Sequence, residues 1–223
     1  MSKGPVWVFK IVDVPALADV WRQFLELCFI PADFDVGAYE KHLAQPHIQS
    51  AYAELDALPS AERIAAEYAA CARDLEAPRV ATRPLSRLQP KNGVVKLGPG
   101  MNLQQRLRLR DTISAFFRAP VIESGNYLYP PGGFKEWHTN MGSMPGWRMY
   151  IIHKLQEGNS FFRYVDPDTM TLKTLWDEDG QVNIFRVSPD RPFWHAVSSV
   201  DTYRWSKGFI IPDCWQTVFP PNG

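Results

Sequence analysis

Two of the five histidines in this 223-residue chain lie close to turn residues in runs typical of short β-strands. His138 follows a Pro-Pro-Gly-Gly turn within the run 134–140, and His195 lies early in the run 194–198. Neutral imidazole binds iron, zinc, copper and nickel. The pair therefore predicts a metal site, provided that the fold brings these two strands side by side.

A candidate anion clamp follows the second histidine. Arg204 and Ser206 lie two positions apart in the run 203–210, so strand alternation places both side chains on one face. A planar guanidinium that is always charged, next to a hydroxyl, suits the geometry of a carboxylate. The same alternation puts His138 and Asn140 together on one face of their strand. These residues predict a metal next to a carboxylate-binding group.

The pattern His138-x-Asn140, then His195, then Arg204-x-Ser206 resembles the iron(II)/2-oxoglutarate-dependent dioxygenases. Its spacing is most similar to the prolyl-hydroxylase-like branch. The resemblance implies a double-stranded β-helix, an iron(II) cofactor, 2-oxoglutarate as co-substrate and O2 as oxidant. It also implies that Arg204 and Ser206 bind the distal carboxylate of 2-oxoglutarate, and that hydroxylation is the default outcome.

The resemblance covers about residues 127–209 and implies further contacts. A tyrosine often touches the co-substrate in this family, and the candidates here are Tyr127, Tyr129 and Tyr150. We expect the substrate to be a small molecule, an amino acid or a peptide, with the loop 141–146 as a lid. Four further side chains are predicted to surround the mouth of the site as substrate contacts: Trp137, Arg148, Arg163 and Trp194.

Asn140 departs from the family pattern, which has Asp or Glu at this position. A carboxylate is a hard, charged ligand for iron, whereas an asparagine carbonyl is neutral and weaker. Asn140 then either binds iron weakly in a working oxygenase or leaves an open position, as in the halogenase branch. Glu136 or Asp201 is an alternative source of the carboxylate. The remaining alternatives are a non-catalytic, cupin-like binding protein and a zinc hydrolase or isomerase with Glu136 as base.

The elements that must position these residues change in character at Pro120. After it, eight short aromatic and β-branched runs alternate with turn residues. Such a succession predicts a sandwich or barrel of the jelly-roll type. The predicted strands are 121–129, 134–140, 148–155, 160–164, 172–176, 182–187, 194–198 and 203–210.

The first half of the chain, 1–119, is predicted to be mostly helical and to pack on the jelly-roll core, 120–223, within one α+β structural domain. Asp13 is a candidate helix N-cap, with Pro15 in the first turn. A less regular helix is expected over 35–57, interrupted near Pro46, and Ser60 is expected to cap another. A last helix is predicted over 102–118.

Composition limits the classes of protein. Lysine plus arginine equals aspartate plus glutamate, 24 each, which argues against a nucleic-acid partner. The sequence shows neither a signal region nor a run of 18 apolar residues, so a membrane protein is not expected. The three cysteines are far apart, with no CxxC pair. They are typical of reduced thiols, so a cytoplasmic protein is expected. The sequence leaves the oligomeric state open.

Overall fold

A computed structural model describes residues 4–76, 88–89, 93–97, 102–140, 144–155 and 158–219 of the chain. The helices in this part are α1 (Ala18–Leu25), α2 (Val36–Leu43), α3 (Pro46–Ala53), α4 (Ala61–Glu76) and α5 (Leu103–Phe117). The strands are β1 (Val6–Lys10), β2 (Leu88–Gln89), β3 (Val94–Lys96), β4 (Ile122–Tyr129), β5 (Phe134–His138), β6 (Gly146–Lys154), β7 (Ser160–Val165), β8 (Leu172–Trp176), β9 (Gln181–Val187), β10 (His195–Ser199) and β11 (Arg204–Ile211).

The strands form two sheets in which every neighbouring pair is antiparallel. The larger sheet has the order β1-β9-β6-β11-β4-β3-β2, and the smaller has the order β5-β10-β7-β8. Side chains of both sheets, such as Phe185 of β9 and Phe162 of β7, meet in one buried cluster. Two antiparallel sheets packed face to face, with helices outside, are compatible with the predicted jelly roll.

Helices cover the outer face of each sheet. Leu109 and Ile113 of α5 and Val20 and Phe24 of α1 are buried in the cluster that covers the larger sheet. Ile48 of α3 is buried with residues of the smaller sheet. The inner faces of both sheets are therefore left to form a cavity between them.

The eight strands predicted after Pro120 are all present, and each of their ends lies within two residues of its predicted position. The first half holds strands that the prediction did not include. β1 pairs with β9 at the edge of the larger sheet, and β3 pairs with β4. The N-terminal region thus supplies strands as well as helices to the fold.

Some helix ends agree with the sequence prediction and others do not. Asp13 is not an N-cap, because two short 3-10 turns precede α1, which begins at Ala18. Asp35 does cap α2, since its carboxylate accepts a hydrogen bond from Ala38 N at 2.9 Å. Ser60 Oγ accepts from Arg63 N at 3.1 Å at the start of α4. No helix among the described residues is both long and apolar enough to cross a membrane.

Candidate functional site

The two candidate metal ligands face each other across neighbouring strands. His138 ends β5 and His195 begins β10, and the antiparallel register pairs them directly, with ring centroids 4.1 Å apart. His138 Nδ1 lies 2.7 Å from the carbonyl of Glu136, and His195 Nδ1 lies 2.9 Å from that of Phe193. A carbonyl only accepts, so each Nδ1 carries the proton and each Nε2 keeps its lone pair. This is the arrangement of metal-binding histidines.

Burial keeps both imidazoles neutral. It lowers the pKa of His138 well below its ordinary value, with the nearby charge of Lys135 as the next cause. Burial likewise lowers the pKa of His195 to about 3, against a smaller opposing effect of the hydrogen bond to Phe193. Neutral imidazole is the form that binds a metal. Near neutral pH, binding therefore needs no proton to leave either ring.

Asn140 is the third donor at this end. It follows β5 with a φ of 59°, in the left-handed region that asparagine adopts more readily than most residues. Its side-chain Nδ2 lies 3.1 Å from His195 Nε2. Rotating the amide by half a turn would put Oδ1 in the same place. The structure thus brings the amide of Asn140 next to the two imidazoles.

Neither alternative carboxylate reaches the histidines. Glu136 is ion-paired with Arg63, and Asp201 accepts a hydrogen bond from Asn159 N. The described part of the chain contains no group of three His, Cys, Asp or Glu side chains that could hold a metal ion. The prediction that Glu136 or Asp201 supplies a ligand is therefore wrong, and the carboxylate that was the candidate base is ion-paired with Arg63.

Arg204 lies on the inner face of β11, between the two sheets. Its Nε donates to Asp177 Oδ2 at 2.7 Å, and the two side chains are 2% and 0% exposed. Ser160 Oγ donates to the same oxygen at 2.9 Å. The guanidinium also lies over the ring of Tyr129, 5.2 Å from its centroid. Arg204 Nη1 is buried without a hydrogen-bond partner among the described residues.

One pocket between the sheets joins the histidines to Arg204. All three candidate tyrosines and Ser206 contribute to its wall. Its lining residues are Tyr127, Tyr129, Lys135, His138, Tyr150, Phe162, Asn183, His195, Val197, Arg204 and Ser206. The structure therefore gathers the predicted metal and co-substrate residues around a single space, with Asn140 against His195 at its edge.

Two glycines leave room for the tyrosines of this wall. A Cβ on Gly208 of β11 would overlap the ring of Tyr150, and a Cβ on Gly125 of β4 would lie 2.8 Å from Tyr127 Cε2. Real Cβ atoms essentially never approach so closely. Glycine at these positions therefore allows the two rings to lie flat against the sheet.

The sequence did not reveal three polar side chains of the site, two in the pocket wall and one paired with Arg204. Lys135 lies three positions before His138, so simple alternation would put it on the other face. The register between β5 and β10 shifts between His195 and Val197, and Lys135 pairs with Val197. This irregularity brings Lys135 to the inner face, and no local sequence signal marks it.

Asp177 and Asn183 are the other two side chains that the sequence did not reveal. Asp177 lies in a predicted turn after β8, and only the fold reveals its contact with Arg204. Asn183 of β9 is fully buried, and its Nδ2 has no hydrogen-bond partner in the described part of the chain. A polar residue within a predicted buried strand was the one available signal for Asn183.

Three of the predicted substrate contacts lie elsewhere. Trp137 is 1% exposed on the outer face of the smaller sheet, and its indole N–H donates to the carbonyl of Glu54 at 3.1 Å. Trp194 is buried in the same outer cluster. Arg163 Nη1 donates to the carbonyl of Leu55 at 2.6 Å and is ion-paired with Asp56. The prediction of a substrate contact is wrong for these three because each side chain holds helical segments against the outer face.

Arg148 differs from those three. It is 1% exposed and lies on β6 two positions before Tyr150, on the same face. Its guanidinium donates to the carbonyl of Met144. Its charge helps to lower the pKa of His195, which places it near the metal end. Arg148 thus stands beside the predicted lid, of which residues 141–143 lie outside the described part.

Comparisons with known proteins give weak similarities only. No protein-family model matches the chain, and no curated protein matches it by sequence. Among solved structures, it is similar to a Pseudomonas putida prolyl-4-hydroxylase, with 16% identity, a TM-score of 0.38, and coverage of 94% of this chain and 93% of that one.

Two further solved structures are similar at the same low level. The chain is similar to EctD from S. alaskensis, solved with 2-oxoglutarate and 5-hydroxyectoine, at 9% identity and a TM-score of 0.43, covering 94% of this chain and 73% of that one. A Burkholderia pseudomallei oxidoreductase of the 2OG-Fe(II) oxygenase family matches 49% of this chain and 54% of its own, at 15% identity and a TM-score of 0.35. TM-scores this low carry no argument about function, which rests on the site itself.

Proposed function

We propose that the chain is a non-haem iron(II)- and 2-oxoglutarate-dependent oxygenase that hydroxylates a small molecule, an amino acid or a peptide. One observation carries the proposal. Two neutral histidines and a neighbouring amide lie at one end of a pocket, and a buried arginine with an unsatisfied Nη1 lies deeper in it. A metal-bound dicarboxylate would satisfy both ends at once.

The metal end fits iron(II) in the chemistry of its donors. His138 and His195 would offer two Nε2 lone pairs, and Asn140 would offer a carbonyl oxygen. Two imidazoles and one oxygen donor leave coordination positions for a chelating ligand and O2. The backbone carbonyls that hold each Nδ1 would keep the rings oriented.

The far end fits the second carboxylate of 2-oxoglutarate. Arg204 Nη1 is buried and lacks a partner among the described residues, and such a group is costly unless a ligand satisfies it. Asp177 holds the guanidinium through Nε, and the arginine contributes to the wall of the pocket. Ser206, two positions along the same strand, adds a hydroxyl to the same wall.

When bound, iron(II) and 2-oxoglutarate supply the oxidation of a substrate C–H bond by O2. The chain's own part is to bind and orient the reactants and to exclude water. Phe162 and Val197 give the pocket apolar walls, which keep water from the histidines. Arg148 is our remaining candidate for a substrate contact near the lid.

Anaerobic spectroscopy tests this proposal. Adding iron(II) and then 2-oxoglutarate should produce a weak visible absorption band, and 2-oxoglutarate should raise the melting temperature of the iron-loaded chain. Succinate should form when O2 is admitted. If the purified chain gives neither the band nor the thermal shift, the proposal is wrong.

A second candidate is a cupin-like binding protein without turnover, which the neutral Asn140 favours. Asn140→Asp separates the two, because a carboxylate in a true ligand position should tighten iron(II) binding, by about ten-fold or more. Unchanged affinity would mean that Asn140 is not a ligand. Binding of 2-oxoglutarate without succinate formation would support the binding protein. A third outcome, an open-site, halogenase-like reaction, predicts that Asn140→Ala keeps iron.

The domain organisation and location stay predictions. We keep 1–119 and 120–223 as a helical region and a catalytic core within one structural domain. Cys28 and Cys214 are free thiols, in line with the cytoplasmic location proposed from the sequence.

A further inference from the structure

We infer that the site binds a second anion on the ammonium of Lys135, so that the molecule to be oxidised carries a carboxylate. This inference rests on the proposed function. It concerns a residue that the metal and co-substrate assignments do not use. The juxtaposition behind it is a lysine in the pocket wall beside two neutral histidines.

Lys135 belongs to the histidine side of the pocket. It lies on β5, the strand that ends at His138, and pairs with Val197 of the strand that begins at His195. Its Nζ is 5.4 Å from the centroid of the Tyr127 ring, whereas Arg204 lies over Tyr129. The two cations therefore sit over different tyrosines of β4.

The pocket places this lysine with the histidines. Lys135, His138 and His195 all contribute side chains to its wall. Burial is the largest influence on Lys135 itself and lowers its pKa. An ammonium that is partly removed from water is a group that an incoming anion would stabilise.

The carboxylates near Lys135 are engaged with other groups. Among the described residues, Glu67 is the acidic side chain that raises the pKa of Lys135, and Glu67 Oε1 accepts hydrogen bonds from Thr139 N and Oγ1, both at 2.8 Å. Asp177 is paired with Arg204. Within the described residues, Lys135 has no ion-pair partner at 4 Å or less. Its partner would therefore come from a ligand.

A count of the charges at the site indicates whether the anion on Lys135 belongs to 2-oxoglutarate or to the substrate. The charges of Arg204 and Asp177 cancel, and the two charges of 2-oxoglutarate are offset by those of iron(II). Asn140 adds no charge where a carboxylate would add one. Lys135 and Arg148 then bring two positive charges to the histidine end and Glu67 brings one negative charge, so that one positive charge is left over where the substrate must lie. A carboxylate on the substrate would balance it.

Matched probes test the inference. Ligand-observed NMR on the anaerobic chain loaded with iron(II) and 2-oxoglutarate would compare pairs that differ only in charge, such as butyrate with butyramide and N-acetyl amino acids with their amides. The wild-type chain should prefer the carboxylates by about ten-fold or more. Lys135→Met should abolish the preference, and Lys135→Arg should retain it.

The visible band measures the binding of 2-oxoglutarate and so shows whether the anion on Lys135 belongs to the co-substrate or to the substrate. Lys135→Met should leave that binding unchanged, whereas Arg204→Met should abolish it. If Lys135→Met weakens 2-oxoglutarate binding as much as Arg204→Met does, the anion on Lys135 is the co-substrate's and the inference is wrong. It is also wrong if the wild-type chain shows no preference for carboxylates, or if Lys135→Met keeps that preference.

Failure of the proposed function gives a different pattern. In that case the wild-type chain would show no visible band with 2-oxoglutarate. The matched probes would then be measured on the chain without metal. A preference for carboxylates that depends on Lys135 would still support the anion site, and its absence would contradict it.

Discussion

Strand β11 carries two buried cations on opposite faces of the larger sheet. Arg204 points inward to the pocket, and Lys207, three residues later, points outward beneath the helices. Each has one carboxylate within reach: Asp177 Oδ2 is 2.7 Å from Arg204 Nε, and Glu123 Oε2 is 2.9 Å from Lys207 Nζ. In burial and charge the two sites are close to equivalent.

Their surroundings differ. Glu123 is also ion-paired with Arg106 of α5, so the outer cluster ties a helix to the sheet. Lys207 lies over the ring of Phe209 and does not border the pocket. Arg204 Nη1 and Lys207 Nζ both lack a hydrogen-bond partner among the described residues, but only Arg204 lies in the wall of the pocket. A buried cation therefore indicates a ligand site only where it also faces open space.

Arg204→Met should have the largest effect of the variants that compare these two cations. Loss of the guanidinium should weaken 2-oxoglutarate binding by about 100-fold or more. It also leaves Asp177 as a buried, unpaired carboxylate, which should cost about 3–5 kcal/mol in the free energy of unfolding. Calorimetry and chemical denaturation measure the two effects. The double change with Asp177→Asn should recover stability but not binding; recovery of binding would argue against the clamp.

Gly208→Ala should have the next largest effect. The added Cβ would overlap Tyr150 and lie 2.9 Å from Ser124 Oγ. We expect a loss of about 1–3 kcal/mol in stability and weaker 2-oxoglutarate binding, because Tyr150 must move within the pocket. Gly37→Ala in α2 is the matched control, since its Cβ would meet only Asp35 Oδ1 at an ordinary 3.6 Å. Equal effects of the two changes would contradict this explanation.

Ser206→Ala should have a smaller effect. Removing one hydroxyl from the clamp should weaken 2-oxoglutarate binding by up to about ten-fold and leave the fold intact. Titration of the visible band measures the affinity. If binding is unaffected, Ser206 lines the pocket without contacting the co-substrate.

Lys207→Met should leave 2-oxoglutarate binding unchanged and act only on stability. Burial lowers the pKa of Lys207 from 10.5 to about 8. Between those values Lys207 binds more protons in the unfolded chain than in the folded one, so this lysine should add stability as the pH rises, by about 3 kcal/mol in total, relative to a chain that lacks it. The Cys28 thiol and the Tyr129 phenol, whose pKa values burial raises, act in the opposite direction in both chains. The variant should lack the contribution of Lys207 in denaturation curves taken from pH 8 to 10.5. The same pH dependence in the variant would mean that another group titrates.

The sequence was most informative where periodicity and spacing are local. Turn residues separate all eight strands of the second half, and the alternation in β11 placed Arg204 and Ser206 on one face. β1 was missed because Val6–Lys10 is a short edge strand, and only its pairing with β9 defines it. Edge pairing is a long-range property that no local pattern reveals.

The same limit applies to the site. The structure brings His138, Asn140 and His195 together, although Asn140 follows the end of β5 and does not continue its alternation. Lys135 reaches the pocket only through the irregular register between β5 and β10. Trp137 was assigned to the mouth although alternation places it opposite His138, and the structure follows alternation. Proximity along the chain was a poorer guide than the face of the strand.

The backbone at Asn140 has a consequence for how such a site can change. A φ of 59° suits asparagine and aspartate alike, and both adopt it more readily than other residues with a Cβ. An amide and a carboxylate are therefore interchangeable there as far as the fold is concerned. A single substitution between these two residues can therefore change the net charge beside the histidines by one while every strand keeps its register. The chemistry of the site can evolve in this way without a change in the fold.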